Sequence, residues 1–522
     1  MKTTFLFNKE NLFIVFLFLF SLLINQYYGN RGVFPIDSFS HFDAGHRILL
    51  GEYPFKDYWA VSGPAIDYLQ AVFFYLLGVN WQSYVLHASI INAVLTITTY
   101  IVLRNFELNI YYSFIYSLLF SVLAYPTSGT PFMDHHSAFF SLLGIYNLIL
   151  AIKYEKKLHW ILLPIFFGFA FLSKQVPSSY VIISVILILS IFSLAQRKFY
   201  WIKYSFLSAT LFILLLLIFG KIQGISLSSF LEQYIFYPQT IGKERLDNLN
   251  FTYSGALGHF KFIYLAFLPL LYINLKKIFS DKNYFKQKNF YYFLCLLLLT
   301  FSLIFHQLLT KNQTFIFFLI PVLAAFSHIS LSVYRLHPIS LVYVAIIIIC
   351  LFVTAKYHLR FNEDRKFHEF SDVNFELFSH GREIDKKFTG LKWITPEFKS
   401  NAKEEIILIN EAKSHLSNDH RNKMVMTHYS FFSAILGQKL FSPSKWYSGD
   451  GTTHPVKESK YFTSYKNLIV NIIRRNDIKV IYTISLESWL IYNYFDNSCF
   501  QEKKITEILR SYELNNCEVI DG

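Results

Sequence analysis

The chain has 522 residues, 53% of them hydrophobic and 19% aromatic, with only 16% charged and a mean hydropathy of +0.35. A soluble protein of this length carries more charge, so an ordinary globular enzyme is excluded. The net charge of +13 does not mark a nucleic-acid binder: residues 357–522 hold 23 basic and 22 acidic residues, so nearly all of the excess lies in the apolar part.

Apolar runs long enough to cross about 30 Å of hydrocarbon predict about eleven spans. They lie near 11–27, 69–103, 110–126, 137–152, 158–173, 178–196, 203–220, 261–275, 290–306, 314–333 and 338–356. The run 69–103 is too long for one simple span, so part of it is expected in the interface. The first run lacks a small-residue cleavage site, "LLINQYYGNRG" offering bulky residues instead, and reads as an uncleaved span. With the N-terminus inside, the inner loops hold 15 basic and 4 acidic residues and the outer loops 10 and 9, as the positive-inside rule requires. Residues 1–356 therefore read as a polytopic α-helical membrane domain with outer loops at 28–68, 125–136 and 221–260.

Residues 357–522 read as a soluble α/β domain on the outer face. "EEIILINEAKSHL" (404–416) and "EKKITEILRSYEL" (502–514) have helical apolar spacing; "KMVMTH" (423–428) and "DIKVIYTIS" (477–485) read as buried strands. Cys295 and Cys350 fall in spans. Cys499 and Cys517 fall outside, where either a disulfide or two thiols fits the compartment.

The first outer loop gathers Asp37, Asp43, Glu52, Asp57 and Asp67. Asp37 and His41 are four residues apart and share a helix face. A carboxylate held there either accepts a proton from a hydroxyl or caps a helix and is solvated at the interface. In "YPTSGTPFMDHHSAFF" (125–140), Asp134 precedes His135 and His136, which point apart on a helix, so at most one can join Asp134 at a divalent metal. Here too, capping of the next span is the other reading. Lys174, in "GFAFLSKQVPSSY" (168–180), ends a span at the level of a lipid phosphate, either as a partner for that anion or as a snorkelling anchor. The loop 221–260 carries Tyr234, Tyr237, Lys243, Glu244 and Arg245.

The run Asp37, "GHRILLGEYPFKDYW", then "GPAIDYLQAVFFYLLG" resembles the first outer loop of GT-C glycosyltransferases, the superfamily of protein O-mannosyltransferases and lipid A aminoarabinose transferases. "GEYPFKDYW" followed by "SGP" carries the likeness, which extends more loosely over residues 1–356. The resemblance implies that Asp37 is the catalytic base, although Ser38 stands where many members have a second acid. It implies that Asp134 is an acidic partner in the second outer loop and that Lys174 binds the donor phosphate. It also marks "HQLLTKNQTFIFFLIPVLAA" (306–325), with His306, Lys311 and Gln313, as a late outer loop. His41, Arg47, Lys56, Asp57, His135, His136 and Lys311 are expected to bind substrate.

No nucleotide-binding or hydrolase motif and no zinc-type cysteine pairing occurs in the sequence. The expected function is transfer of a sugar from a polyprenyl-phosphate donor to a lipid, glycan or protein acceptor at the outer face. The sequence assigns no definite cofactor; a divalent metal is an open alternative. The rivals are a polyprenyl-lipid flippase or transporter, which would place polar groups near mid-bilayer, and a polysaccharide polymerase or ligase. Abundant Lys, Ile, Phe and Asn point to a bacterial inner membrane with the C-terminal domain in the periplasm.

Overall fold

A computed structural model describes residues 8–311, 316–333, 339–448 and 451–515. Nine of its helices are long and apolar enough to cross a membrane: Lys9–Gly29, Trp81–Asn105, Ile110–Thr127, Met133–Tyr154, Gln175–Gln196, Tyr200–Ile222, Lys261–Ser280, Lys288–Thr310 and Leu341–His368. Three shorter apolar helices accompany them: Pro64–Leu77, Lys157–Ser173 and Leu319–Val333. The last two fall where two of the eleven spans were expected, with residues 314 and 315 outside the described set. The overlong run 69–103 resolves into Pro64–Leu77 and Trp81–Asn105. Gly78, at φ +84°, ends the first helix, and the Asn80 side chain starts the second by accepting the Ser83 N–H at 2.9 Å.

The chain divides into two compact units: Met1–Gly29, Ala88–Leu215 and Arg245–Phe367 form one, and Asn30–His87, Leu216–Glu244 and His368–Gly522 the other. In the first unit, buried side chains of the spans form a continuous apolar core, from Leu95 and Phe120 through Leu142 and Leu299 to Leu323. Two buried asparagines inside it tie spans together. Asn25 Nδ2 donates to Ser89 Oγ at 2.9 Å and to the Gly129 carbonyl at 3.1 Å; Asn92 Nδ2 donates to the carbonyls of Ser21 and Ser121. Buried Arg365 donates to the carbonyls of Pro126, Thr127 and Ser128, so the loop before Met133–Tyr154 has a fixed shape. Gly129 in that loop has φ +74°, and a Cβ there would stand 2.4 Å from Gly29 Cα, so only glycine fits.

In the second unit, β1 (Ser379–His380) and β2 (Lys392–Trp393) form a short antiparallel pair. β3 (Lys423–Thr427), β4 (Val480–Ile484), β5 (Phe500–Lys504) and β6 (Leu509–Leu514) form a mixed sheet in the order β3-β4-β6-β5, with β3 parallel to β4 and the other pairs antiparallel. β3 and β4 are buried at every position because helices cover both faces. Side chains alternate across a strand. Val425, Val480 and Tyr482 thus pack with Ile406, Ile409 and Leu416 of the helix Ala402–Asn418, while Met424, Met426 and Ile481 pack with Ile469, Ile472 and Ile473 of Phe462–Arg475.

The expected strands at 423–428 and 477–485 and the expected helix at 404–416 are all present. The helix expected at 502–514 is not: that segment is the β5–β6 hairpin. Ile505, Ile508, Leu509 and Tyr512 have helical spacing, but β4 offers an edge that β6 fills in antiparallel register. The chain reverses where the Ile505 and Thr506 N–H groups donate to the Leu509 carbonyl and Thr506 Oγ1 accepts the Leu509 N–H at 3.1 Å. Cys295 and Cys350 are free and buried, as expected. Cys499 is buried, and Cys517 lies outside the described residues.

The first outer loop belongs to the second unit. Its helices Pro35–Leu49 and Pro64–Leu77 cross so closely that a Cβ on Gly45 would stand 2.8 Å from Gln70 Cγ. Phe39 and Phe42 of the first helix share a core with Trp81, Phe388, Trp393 and Phe431.

Candidate active site

A polar constellation in the first unit centres on Asp134. Phe132 is extended, the helix Met133–Tyr154 begins after it, and Asp134 sits in the first turn, where the exposed N–H groups favour a carboxylate. Lys174 Nζ donates to both Asp134 oxygens, at 2.8 and 2.7 Å, and His306 Nε2 lies 3.5 Å from Oδ1. Lys174 occupies the extended break between Lys157–Ser173 and Gln175–Gln196, where its carbonyl accepts Ser137 Oγ at 3.2 Å and Ser178 Oγ at 2.7 Å. Two apolar helices and the break between two others thus bring a carboxylate, an ammonium and an imidazole together. Ionisable groups are costly at membrane depth and mark functional positions there.

His135 and His136, expected to point apart, both meet Tyr125. The His135 ring stacks on Tyr125 at 5.1 Å between centroids, and His136 Nδ1 is hydrogen-bonded to the Tyr125 hydroxyl. Lys311 closes Lys288–Thr310 with φ +53° and is exposed. Gln313 lies outside the described residues. Among the described residues no three His, Cys, Asp or Glu side chains are grouped as a metal site.

Asp37 lies in the second unit, half-buried in the first turn of Pro35–Leu49. His41, one turn on, is fully buried with Nδ1 2.6 Å from Asp67 Oδ1. Lys445 Nζ donates to both Asp67 oxygens at 2.8 Å and to the Ser62 carbonyl at 3.3 Å. Burial, reinforced by the Lys445 charge, lowers the His41 pKa to about 4, so the imidazole is neutral at pH 7. His41 Nε2 has no hydrogen-bond partner among the described residues. The ring also presses on Gly63, where a Cβ would stand 2.4 Å from Cε1.

The remaining first-loop residues have protein partners. Arg47 is buried; its Nε donates to Glu52 at 3.1 Å, its NH2 to the Ser442 carbonyl at 2.8 Å, and its guanidinium lies 4.0 Å over the Tyr58 ring. Asp57 accepts the Tyr53 N–H at 2.8 Å and Arg475 NH2 at 2.6 Å. Lys56 donates to the Gln223 carbonyl at 3.2 Å. Asp43, buried beside Arg47 and Glu52, has an Oδ1 with no hydrogen-bond partner among the described residues.

Burial raises the Asp43 pKa from 3.8 to about 6, against the opposing charge of Arg47. The folded chain therefore holds a proton that the unfolded chain releases. The resulting stability is fully present below pH 3.8 and is lost as the pH rises through 6, by up to about 3 kcal/mol. Thermal unfolding of the detergent-solubilised protein should shift to lower temperature across that window. Asp43→Asn should remove the slope and leave the variant more stable than the wild type at pH 7.

Asp67 was read only as one of five loop acids and Lys445 was not singled out; nothing in "SPSKWYSG" marks that lysine as a buried cation. His306 was named for its loop but not as a neighbour of Asp134; a histidine within an apolar helix was the available signal.

Residues 61–221 match the model of the dolichyl-phosphate-mannose-protein mannosyltransferase family. That segment of the chain is thus similar to a glycosyltransferase family of the GT-C type, the likeness that the first-loop motif implied, and it lies among the apolar helices. The match spans less than half of the chain. The mannosyltransferase-family segment contains Asp67, Asp134, His135, His136 and Lys174, while Asp37, His41, Arg47, Lys56, Asp57, His306 and Lys311 lie outside it. No curated protein matches the chain.

Proposed function

We propose that the protein transfers a sugar from a polyprenyl-phosphate donor to a hydroxyl of a lipid, glycan or protein acceptor, at the outer face of what is a bacterial inner membrane, with residues 357–522 in the periplasm. The observation that carries this reading is the mannosyltransferase-family match over a segment whose Asp134 and Lys174 are paired among apolar helices. Asp37 takes the proton as the acceptor oxygen bonds to the anomeric carbon. The carbon–oxygen bond to phosphate breaks, and polyprenyl phosphate leaves with the electron pair. An ammonium has three donors. Lys174 places two on Asp134, leaving one for a phosphate oxygen as charge develops there. Asp134 holds that ammonium in position, with His306 beside it. Lys311, at the end of the helix that carries His306, is a further cation for the donor.

The test is transfer of labelled sugar by the purified protein in lipid, with Asp37→Asn beside the wild type. A fall of about a hundredfold or more supports the general base. Equal activity would remove Asp37 from the chemistry and leave Asp134 as the candidate.

A further inference from the structure

Lys56, Leu468, Asn471, Ile472, Arg474 and Arg475 line an open concavity of about 470 Å³ in the second unit. Three of these six are cations and none is an acid. Arg474 and Arg475 come from the last turn of Phe462–Arg475, and Lys56 from the first outer loop.

The position of Lys56 gives the concavity a depth. Its ammonium is bonded to the carbonyl of Gln223, the residue after the membrane-length helix Tyr200–Ile222, and it passes over Gly224, where a Cβ would stand 3.5 Å from Nζ. The adjoining end of that helix exposes Leu217, Ile218, Phe219 and Ile222, the last at 79%. Side chains of this kind at this density belong in hydrocarbon, so Lys56 stands where hydrocarbon gives way to headgroups. Arg475 NH2 is held 2.6 Å from Asp57 Oδ1, and Tyr53 N–H fixes Asp57 in turn; the Arg475 side chain is still 49% exposed. A guanidinium has five donors in a fork that suits phosphate. Leu468 and Ile472 add an apolar surface beside the cations.

The geometry points to a binding site for the phosphate of an anionic membrane lipid, made by Lys56, Arg474 and Arg475 at headgroup depth. Basic side chains at a membrane surface each attract anionic lipid by about a factor of five; here they also converge on one concave site. The site goes beyond sugar transfer and depends only on Tyr200–Ile222 lying in the membrane.

The test is native mass spectrometry of the full chain released from detergent, titrated with phosphatidylglycerol and with phosphatidylcholine. The wild type should bind phosphatidylglycerol more tightly. Lys56→Gln with Arg474→Gln, which keeps the Arg475–Asp57 pair, should weaken phosphatidylglycerol binding at least tenfold and leave phosphatidylcholine unchanged. Lys457→Gln with Lys460→Gln removes the same charge outside the concavity and should change neither. Unaltered phosphatidylglycerol binding by the first variant would overturn the site, as would an equal loss in the second, which would mean diffuse charge. Displacement of the lipid by an equal concentration of inorganic phosphate would mean a free-anion site and overturn the lipid assignment.

Discussion

Asp134→Asn will lower sugar transfer by about a hundredfold or more, and Lys174→Met will do the same. In the account above, the carboxylate positions the ammonium and the ammonium meets the leaving phosphate, so neither works alone. A purely structural ion pair predicts something different. Breaking a buried pair costs about 3–5 kcal/mol because one charge is left without its partner, whereas removing both charges together restores much of the stability. The double variant Asp134→Asn/Lys174→Met separates the two. Its unfolding temperature should recover toward that of the wild type while its transfer rate stays as low as that of either single variant. Recovery of activity together with stability would make the pair a fastener of helices rather than part of the chemistry. Measuring both quantities on the same detergent-solubilised preparations distinguishes the cases.

The largest stability effect is expected at Lys445. Lys445→Met leaves the fully buried Asp67 carboxyl without its ammonium partner, beside a neutral His41, and should destabilise the protein by about 3–5 kcal/mol. Asp67 and His41 sit on the two helices of the first outer loop, and Lys445 ties them to the segment that also receives Arg47 at the Ser442 carbonyl. The pairing therefore orients the helix that carries Asp37. Lys445→Met should also slow transfer, and Lys445→Met combined with Asp67→Asn should regain most of the lost stability. Chemical unfolding of the wild type, Lys445→Met, Asp67→Asn and the double variant gives the coupling directly. A loss below about 1 kcal/mol for Lys445→Met would contradict the burial of this cluster.

The parts of the protein that could be read from its residues are those with local causes. Spans follow from runs of apolar side chains, and one span end from Lys174, whereas the break at Gly78 and Asn80 inside the run 69–103 was not singled out. β3 and β4 were readable because strands buried on both faces are continuous apolar runs. Asp134 and Lys174 stood out as charged residues at span ends, and the first-loop motif connected them to a family.

Other features have no local cause. Lys445 and Asp67 are 378 residues apart, and only the folded chain joins them. The Ser442 carbonyl that accepts from Arg47 lies 395 residues along the sequence, and a loop arginine expected to bind substrate has that partner and Glu52. The β5–β6 hairpin was misread because its apolar residues satisfy helical spacing; the edge of β4 outweighed that local preference.

The proposed function requires that sugar leave a lipid-linked phosphate on this protein. It is tested most directly by incubating the purified wild type, in lipid, with a panel of radiolabelled polyprenyl-phosphate sugars and following both the label and the polyprenyl phosphate. The account predicts that at least one donor is consumed, with one polyprenyl phosphate released for each sugar transferred or hydrolysed. Binding of polyprenyl lipid with no donor consumed across the panel would contradict it and would favour a protein that moves the lipid without cutting it.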